Sequence, residues 1–233
     1  PSTCIEKPII YMPLVATYNG NWLGQNWFNE ERSTTLDVAT TLGLRGLLHN
    51  SDNAFNDKQP GASANYLALR TGLQHTETFA RWSLYGKLDM QLASGTLVPT
   101  EQFIAGGAES VRGYLEGERA GDAGVRATVE LRTPQFNPGG VNSPWRLWGL
   151  TFFDTAILTT KQASQTVPPQ PDSHRLRSVG LGFRLNAPHG LSLEVDAARA
   201  LVDGADGDFS RYYRNYATHA GDKRIHARTV WGF

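Results

Sequence analysis

Alternation of apolar and polar residues, recurring along the chain in stretches most of which run to roughly 9–11 positions, limits what this chain can fold into more than any other feature. From Trp82 one set reads Trp82, Leu84, Gly86, Leu88, Met90 and Leu92, and the other Ser83, Tyr85, Lys87, Asp89 and Gln91. Successive side chains of a β-strand point to opposite faces, so this period of two gives one strand an apolar and a polar face. The pattern returns over 36–45, 66–74, 125–132, 178–185 and 191–196. With 9–17, 145–158 and 224–233 the chain offers about nine such segments, and no amphipathic helix is evident between them. Strands joined without crossover helices should pair antiparallel.

Two all-β architectures alternate in this way, a soluble sandwich and a membrane barrel. Strand length separates them. Soluble strands average about five or six residues, whereas a tilted strand that spans a bilayer needs roughly 9–11. The polar faces, Gln91 among them, carry the charge and glycine of a wetted inner wall. Connections over 49–65, 93–124, 159–175 and 199–223 are long and polar, those at 75–80 and 186–190 are short, and 133–144 is intermediate. Outer-membrane barrels alternate long extracellular loops with short periplasmic turns in this manner. The 19–34 link is longer than such a turn should be.

Composition removes other classes. No apolar run approaches the roughly 20 residues of a helical span. Basic and acidic residues balance at 22 each, so nothing points to a nucleic-acid surface. Cys4 is the only cysteine, so no internal disulfide can form. The chain opens Pro1-Ser2-Thr3-Cys4-Ile5 without the pattern of a signal peptide, and it is expected to start within a longer protein. The six histidines, His49, His75, His174, His189, His219 and His226, are scattered without metal-ligand spacing. There is no Gly-x-Ser-x-Gly elbow. No enzyme, cofactor or metal site is expected.

The most specific segment is Gly106-Gly107-Ala108-Glu109-Ser110-Val111-Arg112-Gly113-Tyr114, followed by Gly121-Asp122-Ala123-Gly124 and Glu130-Leu131-Arg132-Thr133-Pro134. It lacks the strand–helix setting of a dinucleotide fingerprint and the Gly-Lys-Ser/Thr of a phosphate loop. By spacing alone it is a glycine-rich loop entering a strand, and a flexible surface loop remains open. Gly106, Gly107 and Gly113 are expected to adopt backbone angles that other residues avoid.

Val111-Arg112-Gly113-Tyr114 resembles the Val-Arg-Gly-Tyr/Phe motif of the superfamily that holds the BamA insertases and the two-partner secretion transporters. The wider run from Gln102-Phe103 to Pro134 is more similar to the haemolysin-secretion transporters. The resemblance implies a transmembrane antiparallel β-barrel of about sixteen strands, of which residues 1–233 would form the C-terminal part, behind periplasmic POTRA domains and a plug helix. About nine strands is odd for a bacterial barrel, and a free edge in lipid costs several kcal/mol per unpaired backbone group. In that family the motif tips a loop that folds back into the barrel, where its Arg meets the Asp of a Phe-x-Asp strand. Here Phe152-Phe153-Asp154 fits, with Phe152 and Asp154 on one face. A carboxylate can accept two parallel bonds from a guanidinium. Glu130 is a second carboxylate facing inward, as partner of the loop or as a solvated acid.

The final segment turns Ile225, Ala227, Thr229, Trp231 and Phe233 one way and Arg224, His226 and Arg228 the other. Terminal Trp231 and Phe233 look like the signal that outer-membrane barrels present to their assembly machinery, and they also suit an interfacial aromatic girdle. The resemblance implies export of a large secreted partner, an adhesin or haemolysin, across the outer membrane of a Gram-negative bacterium. Its partners would be that passenger, outer-membrane lipid and the barrel assembly machinery. A BamA-like insertase is the alternative, and a passive porin a more distant one.

Overall fold

A computed structural model of the chain describes residues 9–46, 48, 50–140, 142–161, 173–204 and 217–232. Cys4, His49 and Phe233 lie outside the described residues.

The nine alternating segments form one antiparallel sheet. Its strands are β1 (Leu14–Gln25), β2 (Glu31–Gly43), β3 (Tyr66–Phe79), β4 (Trp82–Ala93), β7 (Ala123–Arg132), β8 (Arg146–Thr159), β9 (Ser173–Asn186), β10 (Ser192–Ala200) and β11 (Lys223–Val230). They pair in chain order, with β1 and β11 at the two edges. Two further short strands, β5 (Phe103–Ala105) and β6 (Arg119–Gly121), make a separate hairpin inside the long link between β4 and β7. Among the described residues no helix is long and apolar enough to cross a membrane, which is silent on strands.

Register carries the facing of side chains across the whole sheet. Asp89 opposes Arg126, Thr128 opposes Asp154, and Asp154 opposes Ser178. These polar residues share one face, here called inner, which also receives the β5–β6 hairpin. Leu84, Leu88 and Leu181 lie on the other face, where they stay 42%, 42% and 67% exposed. Half-exposed leucines, valines and aromatics over most of one face are what a lipid-facing wall requires.

Two readings of the links and one of a strand residue change. The 19–34 link is not a loop. Both strands run through it and meet in a turn at 26–30, where Asn26 Oδ1 accepts bonds from the backbone N–H groups of Phe28 and Glu30, at 2.9 and 3.0 Å. Glycines at 20 and 24 on the outer face hide the alternation there. The 49–65 link contains a helix, α1 (Asp52–Lys58), capped by Ser51 and anchored by the buried Phe55. Its seven residues, about two turns, are too few to show a helical period. The third change concerns Gln91, which is buried and bonded, not wetted. Arg70 Nε donates to its Oε1 at 2.7 Å, and its amide donates to the carbonyls of Glu101 and Asp122.

Candidate functional site

The β4–β7 link folds back onto the inner face of β7–β11 and carries the motif with it. Gly106 and Gly107 adopt φ of +112° and +100°, and only glycine holds such angles without strain. They turn the chain so that Gly107 N–H bonds to the Val111 carbonyl and Gly106 N–H to Ser110 Oγ. Val111 and Tyr114 are then fully buried, in an apolar cluster with Ala105, Ala156, Leu158, Leu176 and Ala200. Burial of one large side chain contributes about 1.5–3 kcal/mol, so the tip is a packed element and not a free loop. At its root Arg70 binds the Glu101 carboxylate and Asp122 Oδ1 accepts from Leu97 N–H.

Gly113 has a different reason to be glycine from the one expected. Its φ is not in the left-handed region. A Cβ there would stand 2.7 Å from Ser178 Cβ and 2.9 Å from the backbone nitrogen of Ala200. Close approach of the tip to β9 and β10 is what forbids a side chain.

That approach delivers Arg112 into a cage of carboxylates. Its Nε and Nη2 donate to Asp154 Oδ2 and Oδ1 at 2.9 and 2.8 Å, and its backbone N–H donates to Oδ2 at 3.1 Å. Nη1 donates to Glu130 Oε1 at 2.8 Å and reaches Asp196 Oδ2 at 3.4 Å. The guanidinium carbon stands 3.4 Å from the centroid of the Phe152 ring, within cation–π range. The carboxylates have their own support. Thr128 and Ser178 hydroxyls donate to Asp154, Arg132 forks onto Glu130, and Arg184 forks onto Asp196. Arg112, Arg132 and Arg184 thus balance Asp154, Glu130 and Asp196, with Arg112 and Asp154 only 6% and 0% exposed at their side chains. Burial works against the charge on Arg112. Hydrogen bonds and attraction from Asp154, then Glu130 and Asp196, outweigh it and raise its pKa.

The sheet is shaped to admit this cage. A Cβ on Gly180 would strike the Phe152 ring, and one on Gly182 would strike the Asp196 carboxylate. Glycines on the inner face of β9 therefore make room for β8 and β10 side chains. Tyr114 closes the far side. Its hydroxyl donates to the Val202 carbonyl at 2.7 Å and accepts from Arg177 N–H at 3.1 Å, where the β9–β10 ladder ends. Burial raises the pKa of this phenol. His226 Nε2, on β11, stands 2.8 Å from the Arg112 carbonyl and donates to it.

Of the residues singled out from the sequence, Val111, Arg112, Gly113, Tyr114, Phe152, Asp154 and Glu130 come together. Trp231 does not. It is 69% exposed beyond the end of β11, away from the cage. Asp196, Arg132, Arg184 and His226 belong to the site and were not foreseen as such. Parity was the available signal, since each sits at an inner position of its strand. A cavity of about 660 Å³ adjoins the cage, lined by charged and polar groups such as Lys87, Glu109, Glu194 and Arg228. Among the described residues no cluster could hold a metal ion.

The Omp85 superfamily domain matches residues 35–213. Two solved structures share the fold. CdiB from Escherichia coli superposes with a TM-score of 0.68 at 16% identity, over 94% of this chain and 36% of that one. BamA from Haemophilus ducreyi lacking POTRA domains 1-3 superposes with a TM-score of 0.61 at 19% identity, over 94% of this chain and 42% of that one. The chain therefore spans well under half the length of either protein. No curated protein matches it.

Proposed function

Because the chain belongs to the Omp85 superfamily, an outer-membrane β-barrel family of Gram-negative bacteria, we propose that it is part of a two-partner secretion transporter that exports one large protein. The observation that carries this reading is the docked motif loop: a charged, fully partnered arginine pinned to the inner wall beside a polar cavity. Barrel interiors that pass polar cargo are themselves polar. An extended polypeptide moving there could exchange its backbone hydrogen bonds with water and with the charged wall. The motif segment as a whole, from Gln102 to Pro134, also resembles the haemolysin-secretion branch. Folding of the passenger outside the cell would drive the movement.

Deletion of the gene tests the reading directly. A secretion transporter should leave one large protein missing from the medium while the general set of outer-membrane barrels stays at normal levels. An insertase of the BamA kind should lower many barrels at once, and that result would overturn the proposal.

Facing can be checked separately. In a Cys4→Ser background, cysteines at Leu84, Leu88 or Leu181 should resist a water-soluble thiol reagent in intact membranes. A cysteine at Lys87, which borders the cavity, should react. Equal labelling at both sets would contradict the lipid-facing assignment.

Trp231 and Phe233 are proposed to act in assembly. Removal of Phe233, or its replacement by Asp, should lower the amount of folded full-length protein in the outer membrane several-fold. Normal levels would leave the terminal aromatics with an interfacial role alone.

A further inference from the structure

The outer face of the sheet is apolar over most of its area; charge returns where β2 meets β3, with Arg32 opposite Glu77, and in one all-cationic cluster on β9–β11. On β9 the outer positions read Arg175, Arg177, Val179, Leu181, Phe183 and Leu185, and on β10 Arg199, Ala197, Val195 and Leu193. On β11 they read Lys223, Ile225, Ala227 and Thr229. Register sets Arg199 directly opposite Lys223 on one side and opposite Val179 on the other. Arg177 lies diagonally from Arg199, two residues from its partner Val179 on β9 and on the same face. All four cations are exposed. On neighbouring β8 the outer positions at this level, Thr155, Ile157 and Thr159, are neutral.

Among the described residues this cluster has no anion of its own. Among the described residues none of the four side chains has an ion pair or a side-chain hydrogen bond, and no carboxylate lies on the outer face of β8–β11. Two carboxylates just past the strand ends are engaged elsewhere: Asp203 accepts from Ala220 N–H and Asp222 from His219 N–H. Like charges directly opposite on adjacent strands destabilise a sheet, so the Arg199–Lys223 pair costs the fold something unless an external anion lies between them.

Position identifies that anion. The four residues stand at the end of β9–β11 that leads into the long connections, the extracellular end of an outer-membrane barrel. Below them Val179–Leu185 is uninterruptedly apolar on this face for six steps, roughly 20 Å along the strand at about 3.3 Å per residue; at a tilt of about 35–45° it fits wholly within the apolar band of about 25 Å in such barrels. The cations thus meet the bilayer where headgroups replace hydrocarbon. Arginine forks match phosphate oxygens in pairs, and lysine adds a point charge.

We propose that Arg175, Arg177, Arg199 and Lys223 form a binding site on the outer wall for the phosphate groups of an anionic lipid in the outer leaflet. The site rests on the membrane placement of the barrel and not on the export reading. It anchors the β9–β11 wall, which also carries the Arg112 cage on its inner side, to the lipid at one height.

The test uses full-length protein in dodecylmaltoside micelles doped with phosphatidic acid, phosphatidylcholine or inorganic phosphate at equal phosphate concentration. Bound lipid is counted by native mass spectrometry. Wild type should retain phosphatidic acid in preference to phosphatidylcholine, and added salt should weaken that retention. Arg199→Gln/Lys223→Gln should bind phosphatidic acid about thirty-fold more weakly, as each basic group near an anionic surface contributes roughly a factor of five. Arg175→Gln/Arg177→Gln should show a loss of the same order, and heat-modifiable gel migration identifies which variants are folded. Equal retention by wild type and a folded variant would overturn the site. Inorganic phosphate competing as well as the lipid would overturn the lipid assignment in favour of a free-anion site.

Discussion

Arg112→Ala is expected to cut passenger export by roughly a hundred-fold per folded transporter, while the barrel still inserts. Asp154 is fully buried and takes three of its bonds from Arg112, so removal of the guanidinium leaves a buried carboxylate without its cation. Breaking a buried pair in this way costs about 3–5 kcal/mol. Only the backbone N–H of residue 112 and the hydroxyls of Thr128 and Ser178 would remain to Asp154. That cost falls on the docked state of the loop and not on the sheet, whose strands pair through their backbones. Arg112→Lys should rescue poorly. A single ammonium cannot fork onto Asp154 and reach Glu130 together, and it loses the planar contact over Phe152.

Gly113→Ala is the second large effect expected, and it separates shape from charge. One added methyl group would sit 2.7 Å from Ser178 Cβ and 2.9 Å from Ala200 N. The second neighbour is backbone in a paired strand and cannot swing aside. Overpacking of this kind costs about 1–3 kcal/mol, enough to undock the tip by five-fold to a hundred-fold with Arg112 intact. Limited proteolysis should show new cleavage between residues 106 and 117 in intact cells, and export should fall in parallel. Full export with an unchanged cleavage pattern would show that the tip does not dock as described.

Period and length together made the sheet legible. Each of the nine alternating segments became a strand of the main sheet, because burial on one side and water on the other writes a period of two into the sequence. Where one face is glycine, as at Gly20 and Gly24, the period disappears and β1 was cut short. Arg112, Asp154 and Phe152 were legible only through resemblance, since no local pattern links residues 42 positions apart. Asp196 and Arg184 could have been placed by parity on β9 and β10, but parity selects a face and not a contact. Gly180 and Gly182 were unreadable for a different reason. Their need is set by the bulk of Phe152, Leu150 and Asp196 on other strands, which sequence order does not reveal.

A double-mutant cycle on Arg112 and Asp154 measures most directly whether the loop and the wall act as one unit in export. Passenger in the medium would be quantified relative to folded transporter in the membrane for wild type, Arg112→Ala, Asp154→Ala and the double variant. Coupled partners are non-additive. The expected result is a severe loss in each single variant and a double variant no worse than Arg112→Ala alone. Wild-type export by Arg112→Ala, or single losses that simply multiply in the double variant, would contradict a loop held in place by that pair.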